Sequence, residues 1–193
     1  SSDIYEIIEK ESSLNALLNH LSELDTGITW LSVETLQQDI LSTKRLTSYH
    51  KSFDQTEVPF KIREESQGTL RILNVLPHFI ELFEHKAAKV YVIDELDRCL
   101  HTLLTRTLLE KYLSTCSAST RSQLVFTTQD ILLMDPELLR YDEIWLTERD
   151  NRGCSTLFSL GDYKEHGKDI RKSYLKGSFG GIPNILLSTI SRK

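Results

Sequence analysis

Two adjacent carboxylates, Asp94 and Glu95, close an apolar run that reads Lys-Val-Tyr-Val-Ile from Lys89. Val90, Val92 and Ile93 suit a buried strand, and Tyr91 is also a good strand former. Two charges at the end of such a strand stand at a sheet edge, where burial without a cation or polar ligand is costly. Phosphoryl-transfer sites meet that requirement. One carboxylate supports Mg²⁺, and its neighbour orients or deprotonates the attacking water. The plainer alternative is that Asp94 and Glu95 cap the next helix, since acidic residues stabilise helix N-termini.

Three further short motifs carry chemistry-capable residues. Glu65-Ser66-Gln67-Gly68-Thr69 opens a long helical pattern. A hydroxyl, a glycine that admits close backbone approach and free helix N–H groups make an anion cradle, or Ser66 is simply an N-cap. Asp97, followed by Arg98 and His101, forms a polar turn just after the paired carboxylates. Thr127-Thr128-Gln129-Asp130 ends another apolar run. Ligands of parallel sheets gather at such strand ends, so these side chains would stand beside Asp94 and Glu95 if the two strands are neighbours.

The elements that must position these residues read as mixed α/β. Ser12 or Ser13 can cap a helix with Leu14, Leu17, Leu18, Leu21 and Leu24 on one face, closed by Gly27. Residues 28–33 and 58–62 are strand candidates, and residues 37–56 read as a polar surface excursion. Residues 66–84 form a long helical pattern with a kink or break expected at Pro77. The strand at 89–94, a helix bearing Leu100, Leu104, Leu108 and Tyr112, and the strand at 123–128 make a βαβ unit with parallel strands. Residues 143–148 and 155–160 alternate with period two around Asp150-Asn-Arg-Gly153, a hairpin pattern. A short basic helix at 169–176 and a Gly-rich tail follow.

Composition excludes several classes. The 193 residues carry 39% hydrophobic and 26% charged side chains, as ordinary globular chains do. No apolar stretch approaches a membrane span, and the polar opening is no signal peptide. Cys99, Cys116 and Cys154 are odd in number and scattered, which argues for a reducing cytoplasm rather than a disulfide framework. A net charge of −5 disfavours bulk attraction to nucleic acid. From Gly161 to Lys193 seven basic residues face three acidic ones, a mix that reads as a solvated helix face.

In this order the motifs resemble the C-terminal half of an ABC-type nucleotide-binding domain. They are most similar to bacterial predicted AAA/ABC-like ATPases, which are related to the ATPases of SMC-type repair proteins and OLD-type nucleases and are frequent in phage-defence systems. Glu65 to Thr69 resembles the signature motif, Lys89 to Glu95 Walker B with its catalytic glutamate, and Leu96-Asp97 the D-loop. Gln129 occupies the place of the switch histidine. The resemblance covers most of the chain from about residue 60 and implies two segments. Residues 1–60 are a helical and strand segment before the signature helix, and 61–193 are the signature, Walker B, D-loop and switch portion, closed by the β-hairpin.

What the resemblance implies is an ATP- and Mg²⁺-dependent homodimer with each nucleotide sandwiched between subunits. Ser66, Gly68 and Thr69 would contact nucleotide in trans, Asp94 would hold Mg²⁺ through water, Glu95 would polarise the attacking water, and Asp97 would act across the interface. An effector nuclease and a nucleic acid are the candidate partners. There are two departures. Gly-x-x-x-x-Gly-Lys-Ser/Thr occurs nowhere, the nearest miss being Gly161 to Asp169. With no initial Met, the expectation is a chain lacking its Walker A portion, inactive alone. Gln129 can hydrogen-bond phosphate or water but cannot take up a proton, so slow turnover is expected. The alternatives are a non-catalytic module of degenerate ATPase fold that docks a nuclease, and a metal-dependent nuclease using Asp94, Glu95 and Asp97.

Overall fold

A computed structural model describes residues 4–38, 41–84, 88–163 and 169–182. The chain divides into two compact units, Ser1–Gln129 and Asp130–Lys193. The segment up to residue 60 lies in the same unit as the long helix that follows it.

In the first unit, α1 (Ile4–Glu9) and α2 (Glu11–Glu23) precede a three-stranded sheet ordered β1-β2-β3. Leu14, Leu17 and Leu21 of α2 are buried, as their spacing predicts. The N-cap is Lys10 rather than Ser12 or Ser13, which lie inside the helix. α1 has too few turns to show a period and was not legible in the sequence.

β1 (Ile28–Gln38) is longer than its predicted strand, and β2 (Leu41–Lys51) pairs with it antiparallel. The polar excursion expected over residues 37–56 is therefore mostly a strand. It hides because its inward positions include Ser48 as well as Leu46, both buried, so the alternation is not one of hydrophobicity. β3 (Glu57–Lys61) pairs antiparallel with β2, close to where the pattern put it.

α3 (Gln67–Glu84) runs unbroken through Pro77. Proline removes one backbone donor, and here the burial of Leu73, Leu76, Pro77 and Phe79 outweighs that loss. β4 (Val90–Ile93), α4 (Thr102–Thr115) and β5 (Gln123–Phe126) form the expected βαβ unit, with β4 and β5 parallel and Ile93 opposite Phe126. β4 is not a buried strand on both faces. Ile93 is buried, but Val90, Val92 and Val125 are 61%, 75% and 53% exposed. Among the described residues β4 and β5 form a sheet of two strands, and its valine face has no covering layer.

α3 holds β4 from the other face. Glu81 accepts from Lys89 Nζ at 2.6 Å and from the Tyr91 hydroxyl. Burial opposes ionisation of Glu81, but those two donors more than offset it and keep its carboxyl below the usual range.

In the second unit, β6 (Trp145–Arg149) and β7 (Ser155–Ser159) form the expected antiparallel hairpin. Asp150 Oδ1 accepts from the amides of Arg152 and Cys154 and closes its turn. Asp169 caps α5 (Ile170–Leu175) through the amides of Arg171 and Lys172. Leu146, Leu160, Ile170 and Phe179 make this unit's core. Lys164, Lys168, Arg192 and Lys193 of the basic stretch, and the tail beyond Ile182, lie outside the described residues.

Leu76 has 0% exposure in the α3 core face. Leu76→Ala is expected to cost about 2–5 kcal/mol in urea unfolding. A loss below about 1 kcal/mol would show that this face is not close-packed.

Candidate functional site

The acidic strand end is built by the β4–β5 register. Because Ile93 stands opposite Phe126, the chain leaves both strands at the same level, and Thr127 lies beside Asp94. The Thr127 hydroxyl donates to Asp94 Oδ1 at 2.5 Å and accepts the Glu95 amide at 2.8 Å. The backbone is tied as well: Thr127 N–H donates to the Ile93 carbonyl, and the Thr127 carbonyl accepts from Leu96 N–H at 2.9 Å. Asp94 is exposed and Glu95 half-exposed, so neither charge is sealed away from a ligand.

Neither carboxylate caps the next helix. α4 begins at Thr102, and its N-cap is His101, whose Nδ1 accepts the Leu103 amide at 3.2 Å. The helix-cap alternative for Asp94 and Glu95 therefore does not hold. Residues 94–99 are instead a run of turns, with Glu95 at φ 48° and Cys99 at φ 61°. Non-glycine residues in the left-handed region store strain, and such strain gathers at ligand sites.

The first turn of α3 comes to the same edge. Arg71 donates from one guanidinium nitrogen to the carbonyls of Asp94 at 2.9 Å and Glu95 at 2.6 Å. A Cβ on Gly68 would sit 2.9 Å from the Cys99 carbonyl oxygen, so only glycine lets α3 lie this close to the 94–99 turns. The close approach that Gly68 permits within the chain is thus to its own backbone. Ser66 is an N-cap: its Oγ accepts the Thr69 amide at 3.0 Å and lies 2.9 Å from the Thr69 hydroxyl. Ser66 is nevertheless exposed, on the rim of the site.

The remaining residues group less tightly. Glu95 faces Arg98 at 3.6 Å, a weak pair since both side chains are largely solvated. Asp97 is half-buried, and its Oδ1 is shielded from solvent with no hydrogen-bond partner among the described residues. Gln129 is exposed, two residues beyond the clamp. The residue of that strand end that touches Asp94 is Thr127, not Gln129. The sequence showed Thr127 as part of a motif but did not single it out. Arg71 stands outside every motif, because a lone arginine one turn into a helix carries no pattern of its own, and Glu65 opens the motif that resembles the signature without being given a role there.

Among the described residues no three His, Cys, Asp or Glu side chains gather to hold a metal. Mg²⁺ does not need such a cage; it is usually held by one or two carboxylates, phosphate oxygens and water. Asp94 fits that role, with Oδ1 fixed by Thr127 and the carboxylate open to solvent. A two-metal nuclease needs several converging carboxylates, and the structure brings none to Asp94 and Glu95 from another element among the described residues.

A parallel βαβ unit with a carboxylate pair at its strand end and a helix N-terminus beside it is an arrangement that nucleotide-binding α/β domains use. Residues 5–135 match the family described as "AAA domain, putative AbiEii toxin, Type IV TA system". The chain belongs to this family, and its fold class is that of a P-loop NTPase. No curated protein matches the chain. The domain is a nucleotide-binding, ATPase-like module of a family that generally uses ATP and Mg²⁺. No helix among the described residues is long and apolar enough to cross a membrane, and the three cysteines are free and exposed.

Arg71→Met removes the two carbonyl contacts while keeping the side-chain bulk. Amide exchange of residues 94–100 is expected to speed up at least about tenfold, with β4 itself little changed. Unchanged protection of those residues would show that Arg71 does not hold the turn.

Proposed function

We propose that the chain is the signature, Walker B and switch portion of an ABC-type ATPase that dimerises around ATP and controls an effector. The observation that carries this reading is the meeting of α3 with the Asp94–Glu95 edge through Arg71 and Gly68. Signature corner and acidic strand end thereby lie on one edge of one unit. A second copy turned about a two-fold axis would present its corner to the first copy's carboxylates.

Each residue then has a role. Asp94 holds the water shell of Mg²⁺, and the Thr127 hydroxyl keeps its carboxylate aimed. Glu95 polarises the water that attacks the γ-phosphorus, its backbone held in place by Thr127 and Arg71. Ser66 and Thr69 direct hydroxyls, and the α3 N-terminus directs amides, at the partner's triphosphate. Gly68 keeps that corner low against the 94–99 turns. Asp97 reaches across the dimer, and its unpaired, shielded Oδ1 supports this, since an orphaned carboxylate oxygen is costly until a donor reaches it. Gln129 stands in the switch position and orients water without exchanging a proton. The phosphate-binding loop with its lysine is not among these residues, so they supply hydrolysis and trans recognition rather than the primary grip on ATP.

The family description names a "putative AbiEii toxin" and a type IV toxin–antitoxin system, which supports a toxin–antitoxin or defence setting. The nuclease effector rests on the motif resemblance alone. Affinity to the SMC- and OLD-type branch is part of the same proposal and rests on the motif order from Glu65 to Gln129.

In the full-length protein, Glu95→Gln is expected to cut phosphate release by about 10²–10⁴-fold and to leave ATP-bound dimers that persist on a sizing column. Unchanged phosphate release would rule out Glu95 as the water-polarising group. If the wild-type protein neither hydrolyses ATP nor dimerises with it, the non-catalytic docking module takes its place.

A further inference from the structure

We infer that Glu65 is a positioning residue that fixes the signature corner to the antiparallel sheet through Ser48 and His50 of β2. This rests on the trans-nucleotide reading of Ser66 above, and it adds a coupling between the β1–β3 sheet and that corner. Glu65 follows the 3₁₀ turn Ile62–Glu64 and directly precedes the N-cap serine of α3. Its side chain is only 7% exposed, an unusual burial for a carboxylate.

Both donors meet the same oxygen. His50 Nε2 lies 2.6 Å from Glu65 Oε1, and the Ser48 hydroxyl donates to it as well. Ser48 is fully buried, and its hydroxyl also lies 3.4 Å from the Phe60 carbonyl of β3. His50 packs edge-on against Phe60 at 5.0 Å, and a Cβ on Gly27 would approach its ring at 3.2 Å. The imidazole is thus held between β1's entry and β3 and has little freedom to follow a displaced carboxylate. A buried acceptor with two fixed donors defines the place of its own backbone. That backbone is the residue before Ser66, so the angle at which Ser66 leaves the sheet is set here.

Such a group is not required for α3 to form, because Ser66 caps the helix and its apolar face is buried independently. Its effect should fall on docking of the corner against a partner's nucleotide. Turnover per subunit is measured against protein concentration in the full-length protein, with nucleotide binding to the monomer and thermal unfolding recorded in parallel. Glu65→Ala is expected to raise the protein concentration for half-maximal turnover about tenfold. Its turnover at saturating protein should stay within about twofold, and monomer nucleotide affinity should not change. Glu65→Gln, which keeps a carbonyl oxygen for both donors, should restore the wild-type concentration dependence to within about threefold.

A lower melting temperature with an unchanged concentration dependence would make Glu65 merely structural and overturn the inference. Ser66→Arg separates this from failure of the underlying reading. If Ser66→Arg abolishes concentration-dependent turnover while Glu65→Ala leaves it intact, only the role of Glu65 falls. If Ser66→Arg has no effect, the trans site itself is wrong. Should Glu65→Ala not fold, His50→Phe carries the same test, with a shift of about threefold or more in support and no shift against.

Discussion

One hydroxyl organises the acidic edge. Thr127 Oγ1 accepts the Glu95 amide and donates to the Asp94 carboxylate, and it can do both only if β5 lies beside β4 in the register that sets Phe126 opposite Ile93. A slip of one residue would turn Thr127 to the other face of the sheet and release both contacts. The pairing is therefore what makes two adjacent carboxylates into an oriented pair. Glu95 takes a left-handed backbone in the turn that follows, outside the alternation that Val92 and Ile93 follow.

The second structural partner of that edge is α3. It holds β4 at one end through Glu81 with Lys89 and Tyr91, and at the other through Arg71 on the Asp94 and Glu95 carbonyls. These contacts tie the helix to the strand at both ends, with the serine corner at the helix start beside the acidic edge. Coupling between two sites needs such an element with few arrangements. Arg71 suits this because its guanidinium is planar, always charged and able to bridge two acceptors, whereas lysine would offer a freely rotating point donor.

Much of this was legible in the sequence, and the reasons differ by element. The βαβ unit and the hairpin announced themselves because apolar runs and period-two alternation sit between clear turn residues. The long helix was visible through Leu73, Leu76 and Phe79, although Pro77 argued for a break that packing overrides. β2 was not legible, because its buried positions include Ser48, whose burial depends on a carboxylate far along the chain. For the same reason the role of Glu65 was invisible: a glutamate reads as solvent-facing until its donors are found in space. At the site, type and spacing pointed to Asp94 and Glu95. They could not show which polar residue of the neighbouring strand end would touch them, since that depends on register. The valines of β4 misled in the other direction: their apolarity suggested burial, yet one face of the strand has no cover among the described residues.

In the proposed dimer, Ser66 of one copy and the Asp94–Glu95 edge of another make a single site. Mixing two inactive full-length variants, Glu95→Gln and Ser66→Arg, tests it directly. A sandwich built in trans leaves one intact site in every mixed dimer, so turnover should return to about a quarter of wild type when the two are mixed equally. If both residues served the same subunit's nucleotide, every site would carry a defect and the mixture would stay as inactive as either variant alone.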